Sequence, residues 1–203
     1  MKGKFITFEG SEGCGKSTQS KMLYEYLRKK GKKVIYLREP GGTKVSEKIR
    51  EILLSPKNHI SPVAETLLYM AARAQIVKEI INPALIKGKI VVCDRFLDST
   101  IAYQGYGLGV DIHFIKSVGW FVSQGIKPGL TIFLDLAVKK GLKHRQHSKD
   151  RIEERPYLYH QRVRKGYLKL AYQNPERIKV VKVEKDKNKT RQRIREVVNE
   201  YVF

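Results

Sequence analysis

The stretch Gly10-Ser11-Glu12-Gly13-Cys14-Gly15-Lys16-Ser17-Thr18 constrains this chain more than any other part of its sequence. It follows the apolar run Phe5-Ile6-Thr7-Phe8 and carries the spacing G-x-x-x-x-G-K-S. Between a strand and a helix, this spacing lets backbone N–H groups turn inward around phosphate oxygens, with the positive end of the helix behind them. Residues 10–18 are therefore the candidate site for a nucleoside triphosphate. Lys16 can reach the terminal phosphates, and the Ser17 hydroxyl can ligate Mg²⁺. Taken alone, the same residues could form a glycine turn that caps a helix and leaves Lys16 in solvent.

Around this loop, residues 4–9, 33–38, 90–93, 130–136 and 178–183 are short, β-branched or aromatic runs without strict alternation. They read as parallel strands buried on both faces. Helical patterns separate them. One spans 16–30, with Met22, Leu23, Tyr26 and Leu27 on a stripe and Gly31 as its stop. Another opens at Ser61-Pro62 and continues to about 81. The last, about 190–202, carries Ile194, Val197, Val198 and Tyr201 at helical spacing. The alternation predicts a single α/β domain over 1–203, a three-layer fold with a five-stranded parallel sheet and helices on both faces. Ligands of such sheets sit beyond the carboxyl ends of the strands.

Composition narrows the function. No apolar run reaches membrane-spanning length, and the first strand begins too early for a signal peptide. A cytoplasmic protein with no membrane partner is expected. Cys14 and Cys93 read as free thiols. The 41 Lys and Arg exceed the 20 Asp and Glu by 21 charges. These bases are spread along the chain rather than concentrated in a nucleic-acid-binding module, so a solvated surface that attracts phosphorylated substrates is expected, with no nucleic-acid partner.

Further motifs fall at strand ends. Arg38-Glu39-Pro40-Gly41-Gly42-Thr43 follows the second strand, and Asp94-Arg95-Phe96-Leu97-Asp98-Ser99-Thr100-Ile101-Ala102-Tyr103-Gln104 follows the third. Asp94 is placed to act on a Mg²⁺ water shell, and Arg95 to clamp a phosphate through two parallel hydrogen bonds. A structural Asp–Arg pair is the alternative. Tyr69 and Arg73 share a helix face at i, i+4, a ring beside a guanidinium, which suits stacking on a base while bonding its edge.

These motifs, in this order, closely resemble bacterial thymidylate kinases, from about residue 3 to the D-R-I-E at 150–153. The resemblance implies transfer of the γ-phosphoryl group of ATP to dTMP, with Mg²⁺, in a homodimer. It gives the acceptor-binding segment as about 38–80 and a lid as about 141–153. Glu12 would lie near the acceptor's sugar and phosphate. Arg95 would bind the dTMP phosphate, with Arg38 close by. Tyr69 would stack on thymine, Arg73 would reach its O4 edge, and Ser99, Thr100 and Gln104 would complete the pocket. Tyr103 would lie beneath the deoxyribose and leave no room for a 2′-hydroxyl. The phosphate loop carries no arginine, so the catalytic one would come from the lid, with Arg151 the first choice and Arg145 the second. Residues 114–122, with Trp120 and Phe121, could contribute to a dimer contact or be ordinary core.

Overall fold

The computed structural model describes residues 3–143 and 150–203. Five strands, β1 (Lys4–Glu9), β2 (Val34–Arg38), β3 (Ile90–Asp94), β4 (Leu130–Asp135) and β5 (Ile178–Lys182), form one parallel sheet in the order β2-β3-β1-β4-β5. Each expected strand is present, with ends shifted by at most one residue. The central strand β1 feeds the glycine-rich loop, so that loop opens where the chain has neighbours on both sides.

Alternation along β1 distributes its side chains between two cores. Ile6 and Phe8 pack with Leu23 and Leu27 of α1 (Lys16–Lys29) and with Ile194 and Val198 of α9 (Lys187–Val202). Phe5 points to the other face, where Val91, Cys93 and Phe96 meet Ile76 and Val77 at the end of α3 (Pro62–Ile76). A third cluster joins Phe133 of β4 to Tyr159, Val163 and Tyr167 of α8 (Tyr157–Gln173). Helices therefore cover both faces, and no side of the sheet needs a polar stripe.

Capping residues set several helix starts. The Ser61 hydroxyl accepts from the Ala64 N–H and Pro62 takes the first turn, as the sequence predicts. Thr43 caps α2 (Lys44–Leu54) in the same manner through the Ser46 N–H. Beyond Ile76 the predicted helix continues as a π-helical turn, Val77–Ile81, into the short α4 (Asn82–Ile86). After β3, α5 (Leu97–Thr100) runs into a second π-helical turn, Ile101–Gly107, and then α6 (Ile112–Val122). Helix α7 (Val138–Lys143) follows β4. Among the described residues no helix is long and apolar enough to cross a membrane.

Candidate active site

The loop after β1 adopts the shape its glycines permit. Gly13 has φ 68°, and a Cβ there would lie 2.0 Å from the carbonyl oxygen of Gly141 in α7. Only glycine allows so close an approach. Gly15, also left-handed, precedes the first turn of α1. Lys16 Nζ donates to the Ser11 carbonyl at 2.9 Å and lies 3.7 Å from Cys14 Sγ. Ser17 Oγ donates to Asp94 Oδ2 at 2.5 Å, while Asp94 Oδ1 is buried without a hydrogen-bond partner. One hydroxyl beside one carboxylate with an unused oxygen suits Mg²⁺, a hard cation that keeps several waters and takes its other ligands from phosphates.

A single cavity of about 380 Å³ runs from Glu12, Gly13 and Gly15–Thr18 past Asp94 and Arg95 to Tyr69, Arg73, Thr100, Tyr103 and Gln104. It therefore joins the phosphate loop to all of the predicted acceptor residues, Arg38 and Ser99 included. Gly10, Ser11 and Cys14 of the predicted set do not line it. Cys14 is buried in the core beneath α1, and burial pushes its thiol above the ordinary range.

Arg95 stands at the centre in a left-handed conformation, φ 75°. Its Nη2 donates to Glu12 Oε1 at 2.5 Å and to the Tyr103 hydroxyl at 3.0 Å, and its Nη1 to Ser99 Oγ at 3.1 Å. The guanidinium also lies over the Tyr103 ring at 4.8 Å. Burial would lower its pKa, but Glu12 and the neighbouring tyrosines raise it well above the ordinary value. The alternative reading, a structural Asp94–Arg95 pair, is absent among the described ion pairs, since Arg95 turns to Glu12 and Asp94 to Ser17.

Behind Arg95 lies a carboxylate the motifs did not single out. Glu9, wholly buried at the end of β1, accepts from the Phe96 N–H at 2.8 Å, Ser99 Oγ at 2.6 Å and the Tyr167 hydroxyl at 2.8 Å. Ser99 thus braces the arginine from behind. Burial, then the nearby Asp98, pushes Glu9 up to about 7.

At the cavity's far end Arg73 is 2% exposed. Its Nε donates to Glu39 Oε2 at 2.9 Å and its Nη2 to Thr100 Oγ1 at 3.0 Å, over the face of Phe96 at 5.1 Å. Glu39 sits inside the quoted R-E-P-G-G-T run, next to a cis peptide at Pro40. Burial pushes its carboxyl up, opposed by Arg73. Removing either partner leaves a buried charge, which costs about 3–5 kcal/mol. Tyr69, half-buried on the same helix face, lines the cavity beside Arg73.

Of the remaining predicted residues, Arg38 also lines the cavity. Arg38 pairs with Glu47 at 3.0 Å on the half-exposed rim. Arg50, not singled out in the sequence, also lines the cavity and donates to the Pro40 carbonyl at 3.0 Å. Arg151, the first choice for the lid arginine, does not line the cavity. It pairs with Glu65 at 2.6 Å and donates from Nε to the Leu53 carbonyl at 2.9 Å, held by α3 and the end of α2. Arg145 lies outside the described residues.

Comparison with known proteins decides among the readings. The family described as "Thymidylate kinase" matches residues 8–194. The chain belongs to the thymidylate kinase family. The curated thymidylate kinase of Thermoanaerobacter sp. (strain X514) is 47% identical over 203 residues, covering 100% of both chains. That of Caldanaerobacter subterraneus subsp. tengcongensis is 50% identical over 178 residues, 87% of this chain and 86% of its own. The crystal structure of thymidylate kinase from Ehrlichia chaffeensis superimposes with a TM-score of 0.81 at 33% identity, covering 98% of this chain and 100% of that one. The reaction of this chain, as a member of that family, is phosphorylation of dTMP to dTDP with ATP as co-substrate.

Proposed function

We propose the following division of labour for that transfer. Lys16 and the loop N–H groups hold the ATP phosphates. Ser17 would hold Mg²⁺ directly and Asp94 would act through its water shell; the bound metal would supply positive charge to the phosphates. Arg95 binds the dTMP phosphate, and Arg38 and Arg50 add positive charge at the rim. Tyr69 stacks on the thymine ring, Arg73 bonds its O4 edge, and Tyr103 closes the space beside the deoxyribose. The single cavity that joins Lys16 and Ser17 to Arg95 and Arg73 carries this reading.

The acceptor phosphate needs no general base, since a phosphate monoester with a second pKa near 6 is already a nucleophilic dianion. The barrier lies in bringing two anions into line, and fixed cations in a water-poor cleft lower it. Glu12 has a defined part in this. By pairing with Arg95 before substrate arrives, it holds the guanidinium pointing into the cavity. The pairing of Arg151 with Glu65 supports Arg145, the second choice, as the lid arginine for the transferred phosphoryl group.

The exposed apolar side chains of adjoining helices α2, α3 and α6 support a homodimer. Val45, Ile52, Val63, Leu67, Phe114 and Phe121 are all exposed there. Residues 114–122 are thus not plain core, and Phe121 is 81% exposed.

ADP formation from ATP and Mg²⁺ with dTMP, dUMP, UMP, CMP, AMP and GMP tests the assignment. A strong preference for dTMP is expected. Arg95→Ala should cut kcat/KM for dTMP about 10²–10³-fold, as for loss of one oriented donor, and leave ATP affinity nearly unchanged. Equal turnover in that variant would remove Arg95 from the acceptor site.

A further inference from the structure

Glu65 is 0% exposed on α3, and its carboxylate gathers partners from two distant segments. Gln104 Nε2 donates to Oε1 at 2.7 Å. Arg155 Nη2 donates to Oε2 at 2.5 Å, and Arg151 Nη2 meets the same oxygen at 2.6 Å. Both guanidiniums are nearly buried, and Arg155 also lies over the Tyr159 ring at 4.6 Å. Glu65, Tyr69 and Arg73 are four residues apart, so the carboxylate shares a helix face with the pair assigned to the base.

The chemistry of this contact fixes the direction of the Gln104 amide. A carboxylate set against two guanidiniums accepts hydrogen bonds and has none to give, so the NH₂ end of Gln104 must face it. The carbonyl end, Oε1, is then left for whatever enters the cavity that Gln104 lines. An acceptor in that position matches the N3–H of a thymine or uracil ring. It opposes the bare N3 of cytosine, where two acceptors would meet.

We propose that Glu65 is a positioning residue for base specificity: it locks the Gln104 amide with Oε1 toward the pyrimidine, and so selects N3–H rings over cytosine. Through Arg151 and Arg155 the same carboxylate ties the segment that lines the cavity with Asp150, Ile152 and Glu153 to this base-reading position. The inference rests on the reading of the cavity as the dTMP site.

Glu65→Gln replaces the obligate acceptor by an amide that can also donate, which frees Gln104 to turn over. The test measures kcat/KM and its components for dTMP and dCMP in the wild type and in this variant. KM for dTMP should rise, kcat should change by only a few-fold, and the dTMP:dCMP preference should fall about tenfold to a hundredfold, the worth of one matched polar contact. A role confined to folding would lower both acceptors equally and leave the ratio unmoved, which overturns the proposal. Should E65Q fold poorly, Gln104→Met decides instead: it removes the amide with similar volume, and an undiminished dTMP:dCMP preference would again overturn the assignment. If the wild type itself fails to prefer dTMP in the acceptor panel, the underlying site reading fails, not merely the role of Glu65.

Discussion

At the scale of single residues, the site depends on buried and half-buried carboxylates that hold its arginines. Glu12 aims Arg95, Glu39 aims Arg73, and Glu9 secures the backbone and the serine behind Arg95. Glu9 has a cost that pH exposes. The folded protein keeps its proton to about pH 7, whereas its ordinary value is 4.5. Between those values the native state binds more protons than the unfolded chain, so stability falls as pH rises. The full contribution is present below 4.5 and lost above 7, a change of about 3 kcal/mol at about 1.4 kcal/mol per unit. The groups facing Glu9 are Asp98, Ser99, Arg95 and Tyr167, and of these Asp98 reinforces the shift. Urea unfolding of wild type and Glu9→Gln at pH 5 and pH 8 measures the effect. The variant should lose less stability across that interval than the wild type; an identical loss in both would mean that Glu9 is not held protonated.

At the scale of elements, the π-helical turn Ile101–Gly107 supplies two of the residues that line the cavity. Its wider winding continues from Thr100 and brings Tyr103 and Gln104 to the same cavity wall. Tyr103 contributes two separable things there, a ring and a hydroxyl bonded to Glu12 at 2.6 Å and to Arg95 at 3.0 Å. Tyr103→Phe keeps the ring, so kcat/KM for dUMP should fall about tenfold through the lost hydroxyl while the dUMP:UMP ratio holds. Tyr103→Ala opens the space beside the sugar and should raise UMP turnover relative to dUMP. Steady-state rates with both acceptors check this, and an unchanged ratio in the alanine variant would remove the steric account of sugar selection. Neither π turn was legible in the sequence, since a few residues of wider winding leave no distinct period. The strands were legible because burial on both faces makes their apolar runs continuous. Helix α8 is harder to read because its buried face is built from Tyr159, His160 and Tyr167 beside Val163, residues that also occur at surfaces. The Tyr69–Arg73 pair and Arg95 could be read from motif and spacing, but their carboxylate partners are contacts across 34 and 83 residues of chain. Glu65 did leave a signal: it stands four residues before Tyr69 on the same helical face.

At the scale of the whole molecule, a net charge of +21 acts on two associations with opposite sign. Both substrates are anions, so the field of the protein draws them toward the cleft, and salt weakens that attraction. Two copies of the chain repel one another, and salt relieves that repulsion. The apolar faces of α2, α3 and α6 must overcome it if the chain is a dimer; their burial does not depend on screening of charge. Raising ionic strength from about 10 mM to about 150 mM shortens the screening length from about 30 Å to about 8 Å. Over that range kcat/KM for dTMP should fall while self-association tightens, read by sedimentation at several protein concentrations. Phe121→Glu places a charge on the exposed apolar surface and should shift the protein toward monomer at every salt concentration. A Phe121→Glu variant that sediments like the wild type would place the contact elsewhere on the molecule. Association that weakens with salt would instead point to an interface held by ion pairs, which the apolar residues on these three helices do not supply.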